Sequence, residues 1–305
     1  MYIVPTKSAE HVAKSLLKKG QNVAFTGVNK DGLREFPDGE IYVKVNDVDR
    51  LCGERVVVLH CGQPDANGGL MELYSVLEVL NKPVESRHIV GKEYEYSSLK
   101  KPASVEVFFL YFPYGMQDKV FETGECNMAE SVVRMLTSYY DVSKIYVMDA
   151  HFEGGEWTGK YPLVYVKARD AIGDAMHKDG ILDAVMVAPD LGAQTRLDIS
   201  GFSKKRNNSF DVELSGHESI EERVKGKTVV VWDDLIETGG TMCKASESLG
   251  KMGAKSVVAA ATHGVLLKGI ERINGAYSKL YLTNTIDTKY ANVDVCGVIL
   301  EALGR

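Results

Sequence analysis

Short apolar runs, rich in Val and Ile and each ending in polar or acidic residues, constrain the fold of this 305-residue chain more than any other feature. Because several runs are apolar throughout, they are typical of strands buried on both faces, as in a parallel sheet. Segments with apolar residues at helical spacing lie between them. The predicted strands are residues 23–26, 56–61, 105–111, 145–151, 184–190, 228–234, 256–263 and 280–285, and the predicted helices are 70–80, 129–140, 171–178 and 242–252.

The alternation of strand and helix predicts an α/β fold of doubly wound parallel sheets with right-handed crossovers. The length suggests two domains, and each half of the chain offers enough strand–helix units for one of them. We expect an N-terminal domain over residues 1–150 and a second domain over 151–290. A C-terminal segment, 291–305, is expected to pack back on the first domain. The polar stretch 81–101 has no clear periodicity and predicts a surface excursion.

Composition excludes several functional classes. The net charge of −6 argues against a general nucleic-acid binder, although a local anion site remains compatible with it. Apolar runs do not approach the roughly 18–20 residues of a membrane span, and the first residues lack the layout of a signal peptide. The odd number of cysteines, with no CxxC spacing, disfavours a disulfide framework or a zinc knuckle and predicts a cytoplasmic protein. These cysteines are Cys52, Cys61, Cys126, Cys243 and Cys296.

Acidic residues or histidine stand at the carboxyl ends of four successive predicted strands. In a doubly wound sheet, ligands bind beyond those ends. One polar strand end is explained equally well by an exposed loop, but four in succession favour a binding site. The residues concerned are Asp149-Ala150-His151, Asp190, Asp233-Asp234 and His263.

The sharpest motif runs from Thr228 to Thr241, where a hydrophobic strand leads into two acids, a Thr-Gly-Gly-Thr turn and a predicted helix. The glycines allow backbone N–H groups to converge on an anion, and the helix N-terminus adds its dipole. This arrangement predicts a phosphate cradle, in which Asp233 and Asp234 suit vicinal sugar hydroxyls or a metal ion. The alternative is a glycine turn capped by threonine.

This string resembles the ribose-5-phosphate loop of type I phosphoribosyltransferases and of the ribose-phosphate pyrophosphokinase (PRPP synthetase) family. Further motifs resemble the second family specifically and follow its order along nearly the whole chain. They are Phe36-Pro37-Asp38-Gly39-Glu40, Asn67-Gly68-Gly69-Leu70-Met71-Glu72-Leu73, residues 111–119, Met148-Asp149-Ala150-His151, Ala188-Pro189-Asp190-Leu191-Gly192, Lys204-Lys205-Arg206, Ala261-Thr262-His263 and Thr283-Asn284-Thr285-Ile286.

The resemblance implies two domains of phosphoribosyltransferase type I-like fold. It also implies transfer of a diphosphoryl group from ATP to the 1-hydroxyl of ribose 5-phosphate, with Mg²⁺ as cofactor. Because the Phe36–Glu40 loop of the family reaches ATP in a neighbouring subunit, it further implies a homo-oligomer, at least a dimer. The implied site residues are Lys204 and Arg206 for catalysis; Phe36, Asp38, Gly39, Glu40, Met116, Gln117 and Asp118 for ATP; Asp233, Asp234, Glu237, Thr238, Gly239, Gly240 and Thr241 for ribose 5-phosphate; and His151 and Asp190 for the metal.

The chain departs from the family pattern at four positions. Met116 replaces an arginine that contacts ATP, Glu237 replaces an aspartate, Gly68 replaces an aspartate, and Glu130 replaces a lysine. Three of these departures, Met116, Glu237 and Glu130, keep open a second function, a regulatory paralogue with weak or no activity that associates with an active synthetase. A third is a phosphoribosyltransferase that consumes PRPP, which only the loop at Asp233–Thr241 supports.

Overall fold

The computed structural model describes residues 1–91, 93–190, 193–194, 203–204, 210–211 and 220–305, with backbone alone at 203–204 and 210–211. The chain forms two compact units, Met1–Val166 and Lys167–Arg305. Each unit is built around a parallel sheet with helices packed on it, which confirms the predicted α/β class. Among the described helices, none combines the length and the apolar character needed to cross a membrane.

The first unit contains a five-stranded parallel sheet in the order β1-β2-β5-β6-β7 and a separate hairpin of β3 and β4. Its strands are β1 (Tyr2–Pro5), β2 (Arg55–Cys61), β3 (Val84–His88), β4 (Tyr94–Ser98), β5 (Ser104–Tyr111), β6 (Lys144–Met148) and β7 (Leu163–Val166). Its helices are α1 (Glu10–Lys18), α2 (Ala66–Asn81) and α3 (Met128–Ser138). Alternating side chains of β2, such as Val57 and Val58, are both buried, as expected of a strand covered on both faces.

The second unit contains a four-stranded parallel sheet in the order β13-β12-β11-β8. Its strands are β8 (Val185–Val187), β9 (Ser203–Lys204), β10 (Phe210–Asp211), β11 (Thr228–Ile236), β12 (Ser256–Gly264) and β13 (Leu280–Leu282). Its helices are α4 (Arg169–Lys178), α5 (Ile220–Val224), α6 (Gly240–Lys251), α7 (Leu267–Ala276) and α8 (Cys296–Ala302). Apolar residues of α6 and α7 pack on one face of the sheet, and Ile172 and Met176 of α4 pack on the other.

The structure moves several predicted boundaries. The division between units falls after residue 166 rather than near 150, because β7 pairs with β6 and so completes the first sheet. Residues 23–26 do not form the predicted strand. Val23 bridges Ile3 and Thr26 bridges Val45, so the run makes one isolated bridge to each of two different segments. The stretch 81–101 contains the exposed hairpin β3–β4. The C-terminal helix α8 belongs to the second unit, and packing of 291–305 on the first unit stays a prediction.

His60 on β2 is a buried histidine that the fold holds neutral. The ring is fully buried, its Nδ1 lies 2.9 Å from Thr6 Oγ1, and Phe109 packs edge-on against it. Its Nε2 has no hydrogen-bond partner among the described residues. Burial disfavours the charged ring and lowers the pKa of His60 from its usual 6.5 to about 3.

We expect His60 to make folding stability fall as the pH drops below about 6.5. The unfolded chain takes up a proton on this ring before the folded chain does, so the free energy of unfolding decreases between pH 6.5 and pH 3. The loss from this group is about 2 kcal/mol between pH 7 and pH 5. Urea unfolding of the wild type and of His60→Gln should show a flatter pH dependence in the variant. The exposed His177→Gln should leave the slope unchanged, and parallel slopes for wild type and His60→Gln would contradict this assignment.

Candidate active site

The loop at Phe36–Glu40 is a tight hairpin turn that displays its side chains to solvent. Phe36 N–H donates to the Glu40 carbonyl at 2.7 Å, and Gly39 N–H returns to the Phe36 carbonyl at 2.9 Å. Gly39 adopts φ of 90°, a backbone conformation that favours glycine. Asp38 Oδ1 accepts from Glu40 N–H at 3.2 Å. These internal hydrogen bonds stabilise the turn. The exposed side chains of Phe36, Asp38 and Glu40 are therefore available to contact a ligand.

The segment after β5 carries the other residues assigned to ATP. Tyr114 sits at φ of 58°, and Gln117 N–H closes the turn on its carbonyl at 2.9 Å. The Asp118 carbonyl accepts from Trp157 Nε1 at 2.9 Å, which ties the segment to the core of the unit. The Met116 side chain is 44% exposed. The chain thus presents a neutral thioether where the family has a guanidinium.

Two of the departures from the family pattern have structural roles here. Asp65 caps the N-terminus of α2 by accepting from the N–H groups of Asn67 and Gly68, at 3.2 and 3.0 Å. A Cβ at Gly68 would lie 2.2 Å from Asp65 Oδ2, so the Asp65 carboxylate would have to move if position 68 carried a side chain. Gly68 therefore leaves room for the Asp65 carboxylate in its capping position.

Glu130 is held in the first turn of α3. Asn127 caps this helix by accepting from Glu130 N–H at 2.9 Å, and Tyr161 Oη donates to Glu130 Oε1 at 3.1 Å. Burial raises the pKa of Tyr161, and its hydrogen bond to Glu130 acts in the same direction. An acid in the first turn also complements the helix dipole. The acid at position 130 thus fits its surroundings.

The predicted metal residues of the strand ends lie in different units. His151 follows β6 in the first unit and is half-buried; just before it, Asp149 is buried at φ of 39°, with its N–H on the Val166 carbonyl at 2.9 Å. Asp190 follows β8 in the second unit, where its Oδ1 accepts from Ala193 N–H at 2.9 Å. Among the described residues, no group of three or more His, Cys, Asp or Glu could by itself hold a metal ion.

Strand β11 and helix α6 place the predicted ribose-phosphate residues along one continuous turn. Asp234 is buried, Asp233 is half-buried, and Asp233 Oδ1 accepts from Asp234 N–H at 2.9 Å. The turn at Glu237–Gly239 leads directly into α6, which begins at Gly240. Gly239 has φ of 70°, a left-handed conformation that directs neighbouring N–H groups to one side. The structure therefore brings the two acids and the glycine turn together at the carboxyl end of the sheet.

Tyr277 braces the base of this turn. Its hydroxyl donates to the Met242 carbonyl in the first turn of α6 at 2.6 Å. Burial is the main cause that raises the pKa of Tyr277, and the nearby Cys243 and Asp233 raise it further. The phenol therefore stays protonated and continues to donate at any physiological pH.

Helix α7 supports the turn, and sequence reasoning missed this contribution. A Cβ at Gly269 would lie 1.7 Å from the Glu237 carbonyl oxygen, so only glycine allows the turn to approach α7. Arg272 on the same helix donates from Nη1 to the Thr238 carbonyl at 3.2 Å. Apolar spacing over Leu267, Ile270 and Ile273 would have indicated the helix, although not its contact with the loop.

Of the predicted catalytic residues Lys204 and Arg206, the structure describes only the backbone of Lys204. The backbone of Lys204 pairs with Phe210 in the antiparallel ladder of β9 and β10. Arg206 lies outside the described residues. The assignment of both residues to catalysis stays a prediction.

Comparison with known proteins identifies relatives along nearly the whole chain. The phosphoribosyl transferase domain family matches residues 178–296. A ribose-phosphate pyrophosphokinase of Pyrococcus furiosus is 32% identical over 287 residues, which cover 89% of this chain and 91% of that protein. The protein of the same name from Pyrococcus abyssi is 30% identical, with 96% of this chain and 95% of that one covered.

The fold also matches a solved structure. The crystal structure of phosphoribosylpyrophosphate synthetase from Mycobacterium smegmatis superposes with a TM-score of 0.75 at 23% identity. The match covers 99% of this chain and 97% of that one. At this identity the likeness establishes a common fold for the two chains.

Proposed function

The chain belongs to the ribose-phosphate pyrophosphokinase family, and we propose that it transfers the β,γ-diphosphoryl group of ATP to the 1-hydroxyl of ribose 5-phosphate. The products are 5-phosphoribosyl 1-diphosphate (PRPP) and AMP. The observation that carries this proposal is the continuous turn from Asp233 to Thr241, which joins two acids to a glycine turn at a helix N-terminus.

In this proposal the turn binds ribose 5-phosphate. The N–H groups of the glycine turn and the start of α6 receive the 5-phosphate, for which both their direction and the helix dipole are suited. Glu237 and Thr241 are exposed, so they can contact a ligand that sits on the turn. Asp233 and Asp234, at the end of β11, lie next to the turn and can accept hydrogen bonds from ribose hydroxyls.

ATP is assigned to residues of the first unit that are exposed, together with the half-buried Asp118. Asp38 and Glu40 on the hairpin turn can accept from the adenine amino group, and Phe36 offers an aromatic face. Gln117 and Asp118 follow Met116 in the second ATP segment. We further propose that the hairpin turn serves the site of a neighbouring copy, so that the active form is a homo-oligomer.

The carboxylates present fit Mg²⁺ shared with substrate. This ion prefers one or two carboxylates together with waters and substrate phosphates, so a cage of three protein ligands is unnecessary. Asp190, Asp233 and Asp234 supply suitable oxygens, and His151 is assigned with them by family resemblance. When bound, Mg²⁺ neutralises charge on the phosphates. Lys204 and Arg206 are proposed to neutralise the charge that develops as the diphosphoryl group transfers.

A direct assay tests the proposal. The purified protein is mixed with MgCl₂, ATP and ribose 5-phosphate, and AMP and PRPP are quantified by ion-exchange chromatography. We expect both products in equal amounts, with AMP formation dependent on ribose 5-phosphate. Absence of such AMP with any of several nucleoside triphosphates would exclude the synthetase activity. Activity that appears only when an active homologue co-purifies would favour the regulatory paralogue, and consumption of PRPP with a base would favour a phosphoribosyltransferase.

Met116→Arg should strengthen ATP binding if Met116 lies beside the nucleotide. A guanidinium at this exposed position restores a charge-assisted hydrogen bond, which corresponds to a roughly tenfold lower KM for ATP. Initial rates measured against ATP concentration check this, with the KM for ribose 5-phosphate as an internal reference. Met135→Arg is the matched control, because Met135 on α3 has the same 44% exposure. Equal KM values for ATP in Met116→Arg and wild type would mean that another residue makes this contact.

A further inference from the structure

We propose that Arg272 on α7 is a positioning residue for the phosphate-binding turn. It fixes the Thr238 carbonyl and thereby directs the backbone N–H groups of the turn toward the 5-phosphate. This inference rests on the proposed function of the turn, and it adds a residue that lies outside the Asp233–Thr241 motif.

Three consecutive carbonyls of the turn face one segment of the chain, residues 265–272. The Ile236 carbonyl accepts from the N–H groups of Val265 and Leu266, at 2.9 and 3.3 Å. The Glu237 carbonyl points at Gly269, since a Cβ built there would lie 1.7 Å from its oxygen and 2.7 Å from its carbon. The Thr238 carbonyl accepts from Arg272 Nη1 at 3.2 Å. The carbonyl groups of all three peptides between Ile236 and Gly239 therefore face the segment 265–272.

The direction of these carbonyls decides where the amides point. In a planar trans peptide the C=O of one residue and the N–H of the next point in opposite directions. The N–H groups of Thr238 and Gly239 therefore point away from α7. Within the described part of the chain, neither N–H donates to a protein acceptor. Two neighbouring amides directed to one side form an anion-binding nest, and the left-handed Gly239 is typical of such a nest.

Arg272 is the single charged side chain that contributes to this arrangement among the described contacts of the turn. Its side chain is exposed, and its Nη1 would lie 3.9 Å from a Cβ at Gly240, so its positive charge lies beside the start of α6. A guanidinium carries five N–H donors in a rigid fork, so it can hold a carbonyl and still add a favourable field at the anion. Both effects favour a bound phosphate, and both disappear when the guanidinium is removed.

The test compares Arg272→Met, Arg272→Lys and a matched control, Lys268→Met, on the same helix. Lys268 is exposed and one residue before Gly269, so its removal changes the charge of α7 to the same extent. Binding of ribose 5-phosphate and of inorganic phosphate to the full-length protein is measured by isothermal titration calorimetry. KM and kcat for both substrates are measured alongside, and thermal unfolding reports on the fold.

We expect Arg272→Met to bind ribose 5-phosphate about tenfold more weakly and Arg272→Lys to fall between it and the wild type. The KM for ATP and the melting temperature should stay close to wild-type values, and Lys268→Met should match the wild type throughout. Unchanged binding in Arg272→Met, or equal weakening in Lys268→Met, would overturn the inference. A wild-type protein that binds ribose 5-phosphate but makes no PRPP would refute the proposed function, while the binding series would still decide the role of Arg272.

Discussion

Gly269→Ala should reduce kcat/KM for ribose 5-phosphate by about 100-fold or more. The new Cβ would lie 1.7 Å from the Glu237 carbonyl oxygen, and all three of its nearest neighbours are backbone atoms of Glu237 and Thr238. Backbone cannot swing aside as a flexible side chain can, so the turn has to shift by roughly 1.5 Å to restore an ordinary C···O contact. Misplacement of about 1 Å can cost 100-fold in rate. Steady-state kinetics with ribose 5-phosphate varied at saturating ATP measures the effect.

Gly275→Ala is the matched control for this substitution. Gly275 lies on the same helix, but a Cβ there meets no atom within 4 Å. Replacing glycine by alanine within a helix stabilises it by roughly 0.5–1 kcal/mol, so this variant should keep its activity and melt slightly higher. Circular dichroism and ATP binding establish that Gly269→Ala is folded. Wild-type kcat/KM in folded Gly269→Ala would show that the turn does not need its close approach to α7.

The requirement for glycine at position 269 shows what sequence patterns reveal and what they miss. Local spacing predicted the strand, acids and glycine turn of Asp233–Thr241, because these features lie consecutively along the chain. Glycine inside a helix locally indicates only a weak position. In the structure, Gly269 allows the close approach of Glu237, which lies more than thirty residues away in the sequence. Local propensities do not encode such a contact.

The same limit applies to the fold. The predicted strands at 56–61, 105–111, 228–234 and 256–263 correspond closely to β2, β5, β11 and β12, because strands buried on both faces form continuous apolar runs. The sequence pattern did not reveal β1 and β7, which are four-residue strands at the two edges of the first sheet. The hairpin β3–β4 also escaped prediction, since its strands are exposed along their whole length and carry no apolar run.

The structure also shows the local contacts of two residues that depart from the family pattern. From the sequence, Gly68 and Glu130 suggest a divergent branch with altered nucleotide choice or weak activity. In the structure, Gly68 makes room for the Asp65 cap, and Glu130 accepts from Tyr161. Both positions thus have local structural partners that a motif comparison does not include. Met116 is exposed and has no such partner among its described contacts, and the Met116→Arg experiment tests its proposed place beside ATP.

Lys204→Ala should reduce kcat by about 100- to 1,000-fold while leaving the KM for ribose 5-phosphate within about twofold of wild type. A cation positioned over transferring phosphates stabilises charge that develops in the transition state, and removal of one such group typically costs this much. Binding of ribose 5-phosphate should persist, because the proposed binding turn at Glu237–Thr241 is held by its contacts with α7. Single-turnover assays with radiolabelled ATP measure the chemical step directly.

The control for this experiment is Lys227→Ala. Lys227 is exposed and directly precedes β11, so the length of a nine-residue strand, about 30 Å, separates it from the carboxyl-end site. The Lys227→Ala substitution removes the same charge from the same unit, and this variant should keep the wild-type kcat. A Lys204→Ala variant with kcat within about threefold of wild type would remove Lys204 from catalysis. Loss of ribose 5-phosphate binding in that variant would instead assign Lys204 to the substrate site, since the turn would then depend on a residue outside α7.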